Sequence, residues 1–165
     1  MAMKLSRFFA IFAILAAAIA AQGQQNLSLM SLDGTSVALS SLQGKVVVLM
    51  FAGIQDPQSR EEFKALDTLV QRYRDKDAVI YWVSINPASA ASDERLRAQR
   101  GASSVAILRD PNQSVFKHFG GLQLPTAVIL DRKGQVQGKP RGGFNPNADF
   151  VNDLATTVDS LLTSR

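Results

Sequence analysis

The 165-residue chain contains no cysteine and only one histidine, His118. Without a thiol there is no disulfide, no thiolate nucleophile, and no cysteine-held zinc or iron–sulfur cluster. One imidazole cannot build a histidine-rich metal cage, so only carboxylate ligation survives as metal chemistry. No Gly-x-Ser-x-Gly elbow occurs, and Gly44-Lys45 lacks the glycine spacing of a phosphate-binding loop, which removes serine hydrolases and nucleotide binders. There is no internal repeat and no low-complexity linker. What remains is ample for a core: 46% of the residues are hydrophobic, and the length suits one domain.

The apolar residues are unevenly spread. Lys4 and Arg7 precede an uninterrupted apolar run from Phe8 to Ala21, with Ala18-Ile19-Ala20 supplying small residues where a signal peptidase cuts. As a helix, 14 such residues would reach roughly 21 Å, short of the ~30 Å hydrocarbon core. The expectation is a signal peptide over 1–20 and one domain over 21–165, with membrane contact only through the leader if it is uncleaved. Removing Lys4 and Arg7 takes two of the 18 basic residues away from the 14 acidic ones, so the net charge falls from +4 to +2. That balance argues against nucleic acid as a partner.

Downstream, Asn26–Leu32 and Ser36–Leu39 alternate around Asp33-Gly34 and predict an N-terminal β-hairpin. Lys45–Phe51, KVVVLMF, is a continuous β-branched and apolar run that must be covered on both faces, as a central, parallel strand is. Phe63, Leu66, Leu69, Val70 and Tyr73 recur at helical spacing across Ser59–Tyr73, with Asp56-Pro57 as cap and first helical position. Ala78–Ile85 and Val105–Leu108 predict two further strands, and Ser92–Arg100 a charged helix. Asp110-Pro111 precedes a short helix whose Val115, Phe116 and Phe119 face inward before Gly120. Thr126–Asp131 and Gln135–Gln137 predict a hairpin around Arg132-Lys133-Gly134. Asn147 opens a last helix with a stripe of Phe150, Val151, Leu154, Val158, Leu161 and Leu162. This alternation requires an α/β sheet with helices on both faces.

The ordered set GKVVVLMFAG, REEFKALDTLVQRY, VIYWVSIN, ILRDPNQSVFKHFG and LPTAVILDRKGQV resembles the exported thioredoxin-like redoxins. These are the TlpA-like thiol-disulfide oxidoreductases and the neighbouring alkyl hydroperoxide reductase and thiol-specific antioxidant group. The resemblance implies a thioredoxin-like fold, a central mixed sheet flanked by helices with an N-terminal hairpin extension. In that family the turn after the first long strand carries Cys-x-x-Cys, its first sulfur activated at a helix N-terminus. Laid over this chain, to within one residue, the pattern puts Gln55 and Gln58 at the cysteine positions, with Asp56 and Pro57 between them. A glutamine amide neither ionises nor forms a mixed disulfide, and peroxide reduction fails for the same want of a thiol. The resemblance further implies that Leu124-Pro125 is cis and lies beside the turn, where an extended partner peptide docks by strand addition.

The expected function is therefore a noncatalytic binding or assembly module in the cell envelope. Ile54, Asp56, Pro57, Leu124 and Pro125 would meet an envelope protein or extended peptide, with no cofactor and no metal. Two alternatives stand beside it: an inactive partner in a redox pathway, and an enzyme with repurposed non-thiol chemistry at Gln55, Gln58, Asp56 or Glu61. His118 has no partner fixed by sequence and is expected at the surface. The acidic cluster Asp56, Glu61 and Glu62 suits the positive start of a helix. Arg132, Lys133, Lys139 and Arg141 form a basic strip expected to be solvated.

Overall fold

The computed structural model describes residues 27–54, 58–142 and 148–164. The expected leader, the Gln55-Asp56-Pro57 segment and the Asn147 cap lie outside the described residues. Val46–Ala52 form strand β3, and all seven side chains are buried. The strand sits inside the sheet, as a two-faced apolar run requires. It pairs in parallel with β4 (Ala78–Ser84) and antiparallel with β6 (Thr126–Leu130). Strands β1 (Ser28–Ser31), β2 (Ser36–Ala38), β5 (Ala106–Arg109) and β7 (Arg141–Gly142) complete a seven-stranded mixed sheet ordered β2-β1-β5-β4-β3-β6-β7.

Period-two alternation divides the core into two layers. Val46, Val48, Met50 and Ala52 face one side with Trp82, Ile107, Ala127 and Ile129, while Val47, Leu49 and Phe51 face the other with Val83, Leu108, Val128 and Leu130. The first layer is covered by α1 (Gln58–Arg72), α2 (Asp93–Arg100) and α4 (Ala148–Thr163), through Leu66, Leu69, Leu96, Leu154 and Val158. Each of these side chains is at most 1% exposed, and burying one contributes about 2 kcal/mol. The second layer is covered by α3 (Ser114–His118), through Val115 and Phe116, with Phe119 behind them and Leu39 from the short 3-10 helix, Leu39–Leu42, that follows β2.

The N-terminal hairpin closes where the sequence indicates. Thr35 N–H donates to the Asp33 carboxylate at 2.9 Å, and Gly34 takes φ +86°. The C-terminal hairpin differs from expectation. Its turn forms, with Asp131 Oδ1 accepting from the backbone of Lys133 and Gln135, but the returning segment makes only an isolated bridge, Leu130↔Val136. Gly138, at φ +73°, and Pro140, which has no N–H, interrupt the ladder. Pairing resumes at β7, opposite Thr126 and Ala127.

Two of the four residues in the basic strip hold the last helix. The Arg132 guanidinium donates to the carbonyls of Leu161, Leu162 and Ser164, where α4 supplies no basic residue of its own. Arg141 bonds Asp153 and Thr157. No helix among the described residues is long and apolar enough to cross a membrane.

Candidate functional site

The candidate site lies where β3 ends and β6 begins. Phe51 pairs with Thr126, so the chain leaving β3 and the chain entering β6 run side by side at one end of the sheet. The loop after β3 is held by its neighbours: Ile54 N–H donates to Asn86 Oδ1 at 2.8 Å, and Ser59 Oγ donates to the Gly53 carbonyl at 3.4 Å. Gln58 is the first residue of α1 and half-buried. On the β6 side, Leu124 is half-buried, Pro125 is buried, and the bond between them is cis. Thus Ile54, Gln58, Leu124 and Pro125 gather at this end of the sheet. Gln55, Asp56 and Pro57 belong to the segment outside the described residues.

The acidic residues divide. Glu61 is exposed and pairs with Lys64 at 2.7 Å, as helix-start electrostatics suggests. Glu62 is different: it is 2% exposed, one oxygen accepting from the Trp82 indole N–H at 2.9 Å and the other from the Gln58 amide at 3.3 Å. Burial pushes its carboxyl above the ordinary glutamate value, against the two hydrogen bonds that favour the charged form. Phe63 stacks obliquely on Trp82, with centroids 5.0 Å apart. Expecting Glu62 to act as a surface helix-start charge overlooks a signal in its spacing. Ser59, Glu62, Leu66, Leu69 and Tyr73 fall on one helical stripe, all buried, and a buried indole needs an acceptor.

Chemically, this end of the sheet offers the Gln58 amide, the Ser59 and Thr126 hydroxyls, the buried Glu62 carboxyl and apolar side chains. His118 is on α3, exposed, its ring edge-on to Phe119 at 5.2 Å. No three acidic or histidine side chains among the described residues converge as a metal site would require. Beyond Pro125, a groove of about 350 Å³ runs between Leu122, Thr126 and Pro140. Leu122 stands 93% exposed beside it.

The AhpC/TSA family profile matches residues 20–139. The chain is 33% identical over 121 residues to the thioredoxin-like protein YneN of Bacillus subtilis, covering 70% of this chain and 69% of that one. It is 28% identical over 132 residues to the thiol-disulfide oxidoreductase ResA of Halalkalibacterium halodurans, covering 76% and 72%. Among solved structures it resembles a putative thiol:disulfide interchange protein DsbE from Chlorobium tepidum, with a TM-score of 0.70 at 23% identity, over 82% of this chain and 92% of that one. The mixed sheet and the profile match agree: this cysteine-free chain belongs to the AhpC/TSA family and has a thioredoxin-like fold.

Proposed function

We propose that the chain is an exported, noncatalytic docking module that keeps the family's fold and has given up its thiol chemistry. One observation carries the reading: there is no cysteine at any of the 165 positions, so neither disulfide exchange nor peroxide reduction through a sulfenic acid has an atom to start on. Retention of both core layers and of the segment beside β6 supports a surface that still serves a partner. The half-buried Ile54 and Leu124, the exposed Leu122 and the adjacent groove supply apolar contacts for an extended peptide at the Pro125 edge, and the family resemblance adds Asp56 and Pro57 to the proposed contact set. Export to the periplasm or the outside rests on the apolar run after Lys4 and Arg7. The names of the relatives support a second reading, in which the chain serves a redox pathway as an inactive partner beside a thiol-bearing protein.

The test is crosslinking in the expressing cell from a photoreactive residue placed at Leu122, repeated with Pro125→Ala and with the probe moved to Lys117 on α3. A discrete adduct from position 122 that is lost in Pro125→Ala and absent from position 117 is the expected result. Adducts that ignore both changes would overturn the docking reading. Insulin-disulfide or peroxide reduction by the wild-type protein would overturn the noncatalytic one.

A further inference from the structure

Thr126 holds the groove beyond Pro125 together. Its hydroxyl donates to the Gln123 carbonyl, fixing the loop that carries Leu122, and its backbone pairs with Gly142 of β7. Gly142 keeps the groove open from below: a Cβ there would come to 3.1 Å from Thr126 Oγ1 and 3.4 Å from Gln123 Cβ. The space of about 350 Å³ is therefore built into the fold, and an occupant meets walls that are already in place.

The lining combines apolar surface with charge of one sign. Leu122, 93% exposed, and Pro140 supply the apolar part. Lys139 supplies the charge: it is exposed and ion-paired with no carboxylate among the described residues. The nearby Arg141 is engaged by Asp153 and Thr157, and Arg132 by the end of α4, so those two cations already have structural partners. The stretches that frame the groove, 114–130 and 132–142, contain neither aspartate nor glutamate. Nothing along them neutralises Lys139.

We infer that the groove takes an extended acidic segment of a partner protein, with a large apolar side chain against Leu122 and Pro140 and an aspartate or glutamate on Lys139. Side chains two positions apart lie on one face of an extended chain, so the acid stands two residues from the apolar anchor. Burial of the anchor supplies affinity, and the ion pair discriminates among segments that carry one. The inference rests on the docking reading and adds to it the chemistry of what docks.

The experiment is a nitrogen-15 NMR titration of the protein expressed from its full sequence and purified in the form the host leaves it. The probe is the end-blocked peptide Gly-Asp-Ser-Leu-Ser-Asp-Gly, and the comparators replace both Asp by Asn, both Asp by Lys, or Leu by Ala. Saturable shifts from the acidic peptide below ~10 mM, centred on residues 120–126 and 139–142, are expected. The Asn peptide should bind about threefold more weakly, as loss of an exposed ion pair implies, and the Lys and Ala peptides more weakly still. Lys139→Glu should reverse the order of the acidic and basic peptides, and Leu122→Ser should weaken every peptide that contains Leu. Both side chains are exposed, and unchanged Trp82 fluorescence shows that the core is intact in each variant. Asp and Asn peptides binding alike, or an order indifferent to Lys139→Glu, would overturn the acidic specificity and leave the docking reading to the crosslink from position 122. No saturable shift from any peptide would overturn the proposal as well. Binding to phosphatidylglycerol vesicles without a peptide response would overturn it in favour of a membrane surface.

Discussion

Glu62 and Asp110 are both buried carboxylates, 2% and 3% exposed, and their surroundings assign them different work. Glu62 accepts from a neutral indole and an amide and is ion-paired with no cation among the described residues, so burial dominates and its folded pKa lies above the ordinary 4.5. The native state then binds more protons than the unfolded state as pH rises from that value. The Glu62 contribution is fully present below the unfolded pKa and lost as pH climbs through the folded one. Urea unfolding followed by Trp82 fluorescence should show Glu62→Gln and wild type converging near pH 4 and separating in favour of the glutamine as pH rises. A separation constant with pH would mean that Glu62 titrates alike in both states. Glu62→Leu should cost about 1–3 kcal/mol even at low pH, because it strands the Trp82 N–H. Gly121 yields a second prediction at this scale. A Cβ there would overlap the Phe116 ring, so Gly121→Ala should lower stability by about 1–3 kcal/mol in the same assay.

At the scale of elements, short helices survive here because side chains outside them satisfy their ends. α3 has only five residues, too few to stand alone, and its cap position Gln113 has no side-chain bond. Asp110 does that work from outside the helix: Oδ1 accepts from Ser114 N–H at 2.9 Å and Oδ2 from Phe116 N–H at 2.8 Å. Asp110→Ala should cost about 1–2 kcal/mol in thermal unfolding and expose the Phe116–Phe119 side of the core, detectable as increased dye binding. Asp110→Asn, keeping one acceptor, should recover part of that loss. The Asp-Pro pair before the helix announces this cap. Arg132 at the end of α4 is less visible in sequence, since the helix it serves lies some thirty residues downstream. The displaced β7 is of the same kind: alternation continues through Gln137, but Gly138 and Pro140 break the ladder and the sheet repairs itself further along.

For the whole molecule, the expectation is a thioredoxin-like body without thioredoxin-like chemistry. Wild-type protein should reduce neither insulin disulfides nor alkyl hydroperoxide, since both need a thiol. The double variant Gln55→Cys, Gln58→Cys should gain insulin reduction if position 58, the first residue of α1, places a sulfur as the family turn does. Should the protein stay inactive while a double variant shifted by one residue, Asp56→Cys, Ser59→Cys, gains activity, the register moves and the pocket assignment with it. What the amino-acid order settled alone was the class of fold and the absence of any thiol. Period-two and period-3.6 patterning is local, and the absence of an atom needs no coordinates. The tertiary structure alone decided which polar residues found partners far along the chain: Glu62 under Trp82 and Arg132 at the end of α4. Each depends on contacts between elements distant in sequence, where local patterning records that a side chain faces inward but not what waits for it there.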